Sequence, residues 1–333
     1  MTRQPPVTLG TLLALEGSQG KIVLPRRPVT AIPWPMTRRV LIVCAAVVAT
    51  VAGRTTAGAS HPPEFWRAIA KADFAPPPGA DVPALTLELC ELFASPDPEL
   101  RDDVGYSTFA SWVYQKKLLD ARALRPVTAA LVGNLSMGIG STGTDAVFRR
   151  SFSALALSVI VARDNADPVL DEPGFRALLD ATLRYLEQEK DVRGFDATKG
   201  WMHSAAHTAD LIKFLTRSRY LAAADQMRIL DAVLHKMTSN AVFVFGEDER
   251  YARALLSIVN RKDFDREAFS TWLSRAKPAP LKAGLPTVQE LQARQNVKNL
   301  LSKLEVLLTA DDGPSEGVAF ARDRVRGITR DLF

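Results

Sequence analysis

Apolar residues in this chain recur at the spacing of one helical face, and no stretch sustains the alternation of a half-buried strand. Phe175, Leu178, Leu179, Thr182, Leu183 and Leu186 form one stripe; Met227, Leu230, Val233 or Leu234 and Met237 form a second; Val297, Leu300, Leu301, Leu304, Leu307 and Leu308 form a third. The breaks between periodic runs are of the helical kind: Pro63, the prolines at 76–78, and the segments 95–98, 140–144, 167–173, 194–200 and 277–286. Helices of roughly 12 to 20 residues joined by short breaks pack as antiparallel neighbours. The pattern therefore predicts an all-α chain, an α-solenoid of stacked antiparallel helix pairs. No strict repeat is visible, so the solenoid rests on helix length and not on self-similarity.

Ahead of the helical region stands a different kind of segment. Met36-Thr37-Arg38-Arg39 is followed by VLIVCAAVVATVAG and then by Ala57-Gly58-Ala59. Basic residues, an apolar run of about 14 residues and small residues in an A-x-A arrangement are the parts of a bacterial export signal, in order. The run is shorter than the roughly 20 residues that span hydrocarbon, so a membrane anchor is the secondary reading. Cys44 does not fit a lipoprotein cysteine, because it sits near the start of the apolar run and follows Val43. The expected organisation is residues 1–35 outside the mature protein, with translation starting at Met36, a signal peptide over 36–59, and one all-helical domain over 60–333. A periplasmic or secreted location follows, by the general or the twin-arginine route.

Charge looks different once the leader is set apart. The chain has 42 Lys and Arg against 37 Asp and Glu, but residues 1–59 hold seven of the bases and a single acid, Glu16, leaving 35 against 36. The basic pI of about 9.2 belongs to the leader, and it gives no reason to expect a nucleic-acid partner. Past Ala59 only Cys90 remains, so no intrachain disulfide can staple the fold. About 270 residues can bury a sufficient core without one.

Four blocks then carry a resemblance: LRDDVGYSTFASWVYQKKLL at 100–119, FRRSFSALALSVIVARD at 148–164, GFDATKGWMHSAAHTADLIKFL at 194–215 and FGEDERYARALL at 245–256. Together, over about residues 95–275, they resemble a bacterial family known as domain of unknown function 2785. The resemblance implies an all-helical, HEAT-like right-handed stack of helix pairs, and it brings no activity with it.

The candidate site lies in the third block. On a helix His203, His207 and Asp210 stand at i, i+4 and i+7, within about 60° of one another. Ala205, Ala209, Ile212 and Leu215 lie opposite, and Lys213 alone reads as solvent-facing, so the helix is a central one whose polar stripe must find partners. Three chemistries are open: a structural network with Asp210 on Arg150 or Arg250; a divalent metal such as zinc on His203, His207 and Asp210, completed by Glu247, Asp248 or Asp164; or a metal-free pocket for a ligand or an acid/base pair. H-E-x-x-H is absent, since Ser204 follows His203. At least one of the three stripe residues is expected within reach of Glu247, Asp248, Arg250, Arg150 or Asp164. Trp201, read as opening the same helix, is expected to be a packing anchor.

Other motifs carry less. Residues 138–143 match G-x-G-x-x-G, but no strand precedes them, so a turn between helices is the reading. Acids at 247–249 complement the positive end of a helix. Ser151 has no nucleophile-elbow context. The likeness and composition point to a helical-repeat binding or scaffold protein for a protein, peptide or envelope ligand, without a cofactor; a metal-dependent hydrolase is the alternative.

Overall fold

A computed structural model describes residues 61–239, 241–278, 285–310 and 315–332. The leader at 36–59, Cys44 and the segment before Met36 lie outside these residues. All of the described residues belong to one compact unit.

The chain is all-α, with twelve α-helices and one two-residue hairpin among the described residues. The first two helices, α1 (Pro63–Lys71) and α2 (Val82–Leu89), lead through a 3₁₀ turn at Cys90–Ala94 to an unusual helix. This helix runs as π at Glu99–Tyr106, as α at Ser107–Ala110 (α3) and again as π at Ser111–Gln115. The wider bond from Lys116 N to Ser111 O marks its last turn. Beyond it come α4 (Ala121–Asn134), α5 (Ala146–Ala166) and α6 (Glu172–Gln188). A hairpin of β1 (Phe195–Asp196) and β2 (Gly200–Trp201) follows, pairing Phe195 with Trp201. The rest is helical: α7 (Ser204–Leu215), α8 (Ala223–Thr238), α9 (Glu247–Val259), α10 (Arg266–Ala276), α11 (Val288–Thr309) and α12 (Glu316–Thr329).

Several starts follow local chemistry. Asp81, Asp120, Asp171, Asp265, Thr287 and Ser315 each accept a backbone N–H from the first turn of the helix that they precede, each worth about 1 kcal/mol. Pro63 and Pro173 sit at the first turn, where a missing N–H is harmless. The apolar stripes are buried as expected in α6, α8 and α11, although Leu183, Met227 and Leu307 stay at the margin.

Packing makes α7 the centre. It lies between α5 and α9, and α9 packs in turn on α11. The alternate helices neighbour one another as well: α6 on α8, α8 on α10, α10 on α12. In α7 every residue except Phe214 is buried, and α5 is buried from Arg150 to Asp164 without a break. No described helix is long and apolar enough to cross a membrane.

Candidate functional site

The helix that carries the stripe begins at Ser204, three residues later than a reading in which Trp201 opens it. Gly200 and Trp201 form the second strand of the hairpin, and the ladder continues through Met202 N to Gly194 O (2.8 Å) and His203 N to Arg193 O (3.2 Å). His203 is therefore the residue preceding α7, and it turns the chain from strand to helix in the left-handed region at φ 47°. That conformation costs a non-glycine residue roughly 1–2 kcal/mol. Its carbonyl still accepts from His207 N at 2.9 Å, so the two imidazoles meet edge to face at 5.8 Å between centroids.

Each stripe residue has a different environment. Asp210 forms an ion pair with Arg250 from the first turn of α9, and Lys213 Nζ lies 3.9 Å from its other oxygen. The expected link between the stripe and the later acidic block thus exists, through Arg250. Lys213 is buried, with its ammonium 4.5 Å from the Phe214 ring, and does not face solvent. His207 is buried against Phe152 (5.0 Å, edge to face), and its Nδ1 lies 2.8 Å from Ser151 Oγ. Because the Ser151 hydroxyl donates to Met202 O, the imidazole is the donor in the Ser151 contact and carries its proton on Nδ1. Burial, then His203 and Arg250, hold its pKa well below the usual value.

His203 is the anomaly. It is 3% exposed, and neither ring nitrogen makes a hydrogen bond of good geometry, although the Phe245 backbone lies near. Burial, followed by the charge of Arg250, pushes its pKa down to about 4. Leaving such a group unsatisfied costs roughly 1–3 kcal/mol. Its face is stacked on Trp201 at 4.2 Å and 24°.

The remaining sequence candidates go elsewhere. Glu247 is buried and accepts Phe245 N at 2.8 Å, while Asp248 accepts its neighbour Glu249 N at 2.9 Å. Arg150 does not reach Asp210. It pairs with buried Glu189 (2.5 Å) and holds the carbonyls of Met137 and Gly138, so it fixes the turn at 138–143. Asp164 caps Val169 N and Leu170 N and pairs with Arg219 at 3.0 Å. A metal centre on His203, His207 and Asp210 is not assembled: Arg250 occupies the carboxylate and Ser151 the Nδ1 of His207. Among the described residues no group of three His, Cys, Asp or Glu is placed to hold a metal ion.

Trp201 corrects the packing-anchor expectation. It is 38% exposed, and beside it stand Phe195 (51%) and Phe245 (42%). Phe195 meets it at 4.8 Å and 60°, Phe245 at 5.8 Å and 84°. Gly194 is what lets Phe245 lie there, since a Cβ at that position would stand 2.0 Å from the Phe245 ring. These rings end a column that runs inward from Trp201 through His203, His207 and Phe152 to Arg101. The Arg101 guanidinium is fully buried, 4.0 Å from the Phe148 ring and 4.8 Å from Phe152, and donates to the carbonyls of Ser95 and Lys199. Tyr106, from the same π turn, has a buried hydroxyl without a partner in the field of Asp210. Neither Arg101 nor Tyr106 was singled out from the sequence, although both lie in the first block of the resemblance.

Comparison with known proteins gives a family match. The family model described as "Protein of unknown function (DUF2785)" matches residues 135–306, just over half of the chain. It takes in the last three of the four blocks and most of α11, and starts beyond the first. No curated protein and no solved structure matches the chain.

Proposed function

The chain belongs to this family of unknown function (DUF2785), and we propose that it is a binding protein whose ligand docks at the corner formed by Phe195, Trp201 and Phe245. The observation that carries this reading is that three costly features coincide. Three large rings stand half out of water, the imidazole behind them is buried without a hydrogen bond of good geometry, and the same histidine holds a left-handed backbone. Each opposes folding, and strain kept in one place is the mark of a functional site more than of a core.

The sequence of helix neighbours supports a HEAT-like stack, with α5, α7, α9 and α11 in one row and α6, α8, α10 and α12 in the other. In such a stack the loop ends of one row form a continuous edge, and the corner lies on the loops that enter α7 and α9. The leader-like sequence at 36–59 supports export, which makes a peptide, protein or envelope component the ligand in reach. A metal-dependent hydrolase has less support, because the donors it would use are engaged within the protein.

A thermal-shift screen of envelope-derived peptides, glycans and headgroup compounds tests the reading, run on the parent and on Phe195→Ser. A compound that raises the melting temperature of the parent and not of the variant is the expected result. Ligands that stabilise both equally would move the binding site elsewhere.

A further inference from the structure

We propose that the Phe195, Trp201 and Phe245 corner binds a quaternary ammonium group, of the kind carried by choline. The inference rests on the corner being a ligand site and adds the chemistry of the ligand.

Ring geometry is the first argument. Trp201 meets Phe195 at 60° and Phe245 at 84°. A sugar stacks on one flat face, whereas rings set steeply to one another form a concave corner in which a compact, round cation touches two faces at once. Such a cation is attracted by each ring quadrupole within about 6 Å of a centroid. Size agrees, since rings exposed to this degree offer roughly 250 Å², well below the ~800 Å² that each side of a stable protein interface buries.

Charge is the second argument. Elsewhere the protein covers ring faces with its own cations: Arg219 over Tyr220 (4.3 Å), Lys213 and Arg217 over Phe214 (4.5 and 5.4 Å), Arg266 and Arg324 over Phe320 (5.6 and 5.4 Å). The inner end of the column has Arg101. Among the described residues no cation stands over Phe195, Trp201 or Phe245. The nearby bases are committed, Arg193 to Asp191 (2.6 Å) and Lys199 to Asp145 (2.6 Å). Asp196 is held by neutral donors instead, the Thr198 hydroxyl and the N–H groups of Thr198 and Lys199, which keep it ionised with a pKa of about 2. His203 behind Trp201 is neutral at physiological pH, so no imidazolium opposes a cation there.

The test is titration of the purified chain with choline and with its uncharged isostere 3,3-dimethylbutan-1-ol, by tryptophan fluorescence and calorimetry. Of the five tryptophans, Trp66, Trp112 and Trp272 are fully buried, and the part of the fluorescence change that Trp201→Ala abolishes reports the site. Saturable choline binding is expected, with the isostere at least about tenfold weaker, the equivalent of one good cation–π contact. Phe245→Ala and Trp201→Ala should each lose about tenfold. Phe195→Ala, the most exposed of the three, keeps the test open if either of those fails to fold.

Phosphatidylcholine and phosphatidylglycerol vesicles separate the sources. Binding to free choline and to phosphatidylcholine marks a lipid headgroup, and free choline alone marks a soluble ligand; both support the assignment. Equal binding of the isostere, or of a glycan through Trp201, would overturn the cation while leaving the corner a ligand site. No saturation by choline up to about 100 mM, an affinity too weak for even one ring contact, would overturn it outright.

Discussion

Acid should destabilise this protein through His203 between pH 6.5 and 4, and His203→Phe isolates the effect. The ring keeps a pKa of about 4 in the folded state against 6.5 when free. The folded state therefore holds it neutral while the unfolded chain takes up a proton below pH 6.5. Stability from this group is complete above pH 6.5 and is lost as pH falls toward 4. At pH 5 the loss from His203 alone works out at about 2 kcal/mol, and His207 is shifted in the same direction by its burial. Phenylalanine keeps the stack on Trp201 and removes the titration. Urea unfolding of parent and variant between pH 8 and pH 5 should show the parent losing about 2 kcal/mol more than the variant as pH drops. Parallel curves over that range, or a ring that titrates near 6.5 in a proton NMR experiment, would refute the argument that burial without a partner controls this residue.

Three further outcomes follow from the same contacts. In a double-mutant cycle Asp210→Asn and Arg250→Met should couple by about 0.5–3 kcal/mol, with the aspartate change the worse because it leaves Arg250 and Lys213 facing each other; additive effects in chemical denaturation would deny the pair. Trp201→Ala should cost no more than about 2 kcal/mol in a melt, and Trp112→Ala, fully buried with its N–H on Phe74 O at 2.7 Å, about 3–5 kcal/mol. Arg150→Met, which strands Glu189 in the core, should cost about 3–5 kcal/mol by urea denaturation, and Glu189→Gln in the same chain should recover part of it.

The helices were legible because their signals are local. Phe175 to Leu186 and Val297 to Leu308 fix a buried face by spacing alone, and Asp120 or Asp171 marks a start that one side chain decides. The central place of α7 was readable for the same reason, since a helix apolar on nearly all sides has no other place to go. The start of α7 was not. Nothing in the local sequence around 200–203 announces a strand, because the hairpin is held by pairing with 193–196 and by Arg101 gripping Lys199 O from 98 residues away. For that reason Trp201, which a helix would have buried, stands at the surface. The choice between Arg150 and Arg250 for Asp210 was likewise tertiary: both arginines sit in the first turns of central helices, and only the position of Glu189 sends Arg150 elsewhere.

What joins these corrections is the column itself. The block at 100–119 supplies Arg101, that at 148–164 supplies Phe152 and Ser151, that at 194–215 supplies Phe195, Trp201, His203 and His207, and that at 245–256 supplies Phe245 and Arg250. A hydrophobic core of this size has no need of such an arrangement; apolar side chains in place of the two imidazoles and the Asp210–Arg250 pair would fill the same volume without desolvating four polar groups. The four stretches therefore share more than a helical scaffold. They converge on a line of rings closed by a guanidinium at its buried end and open to water at Trp201, and the open end is where a ligand would change the balance of the whole.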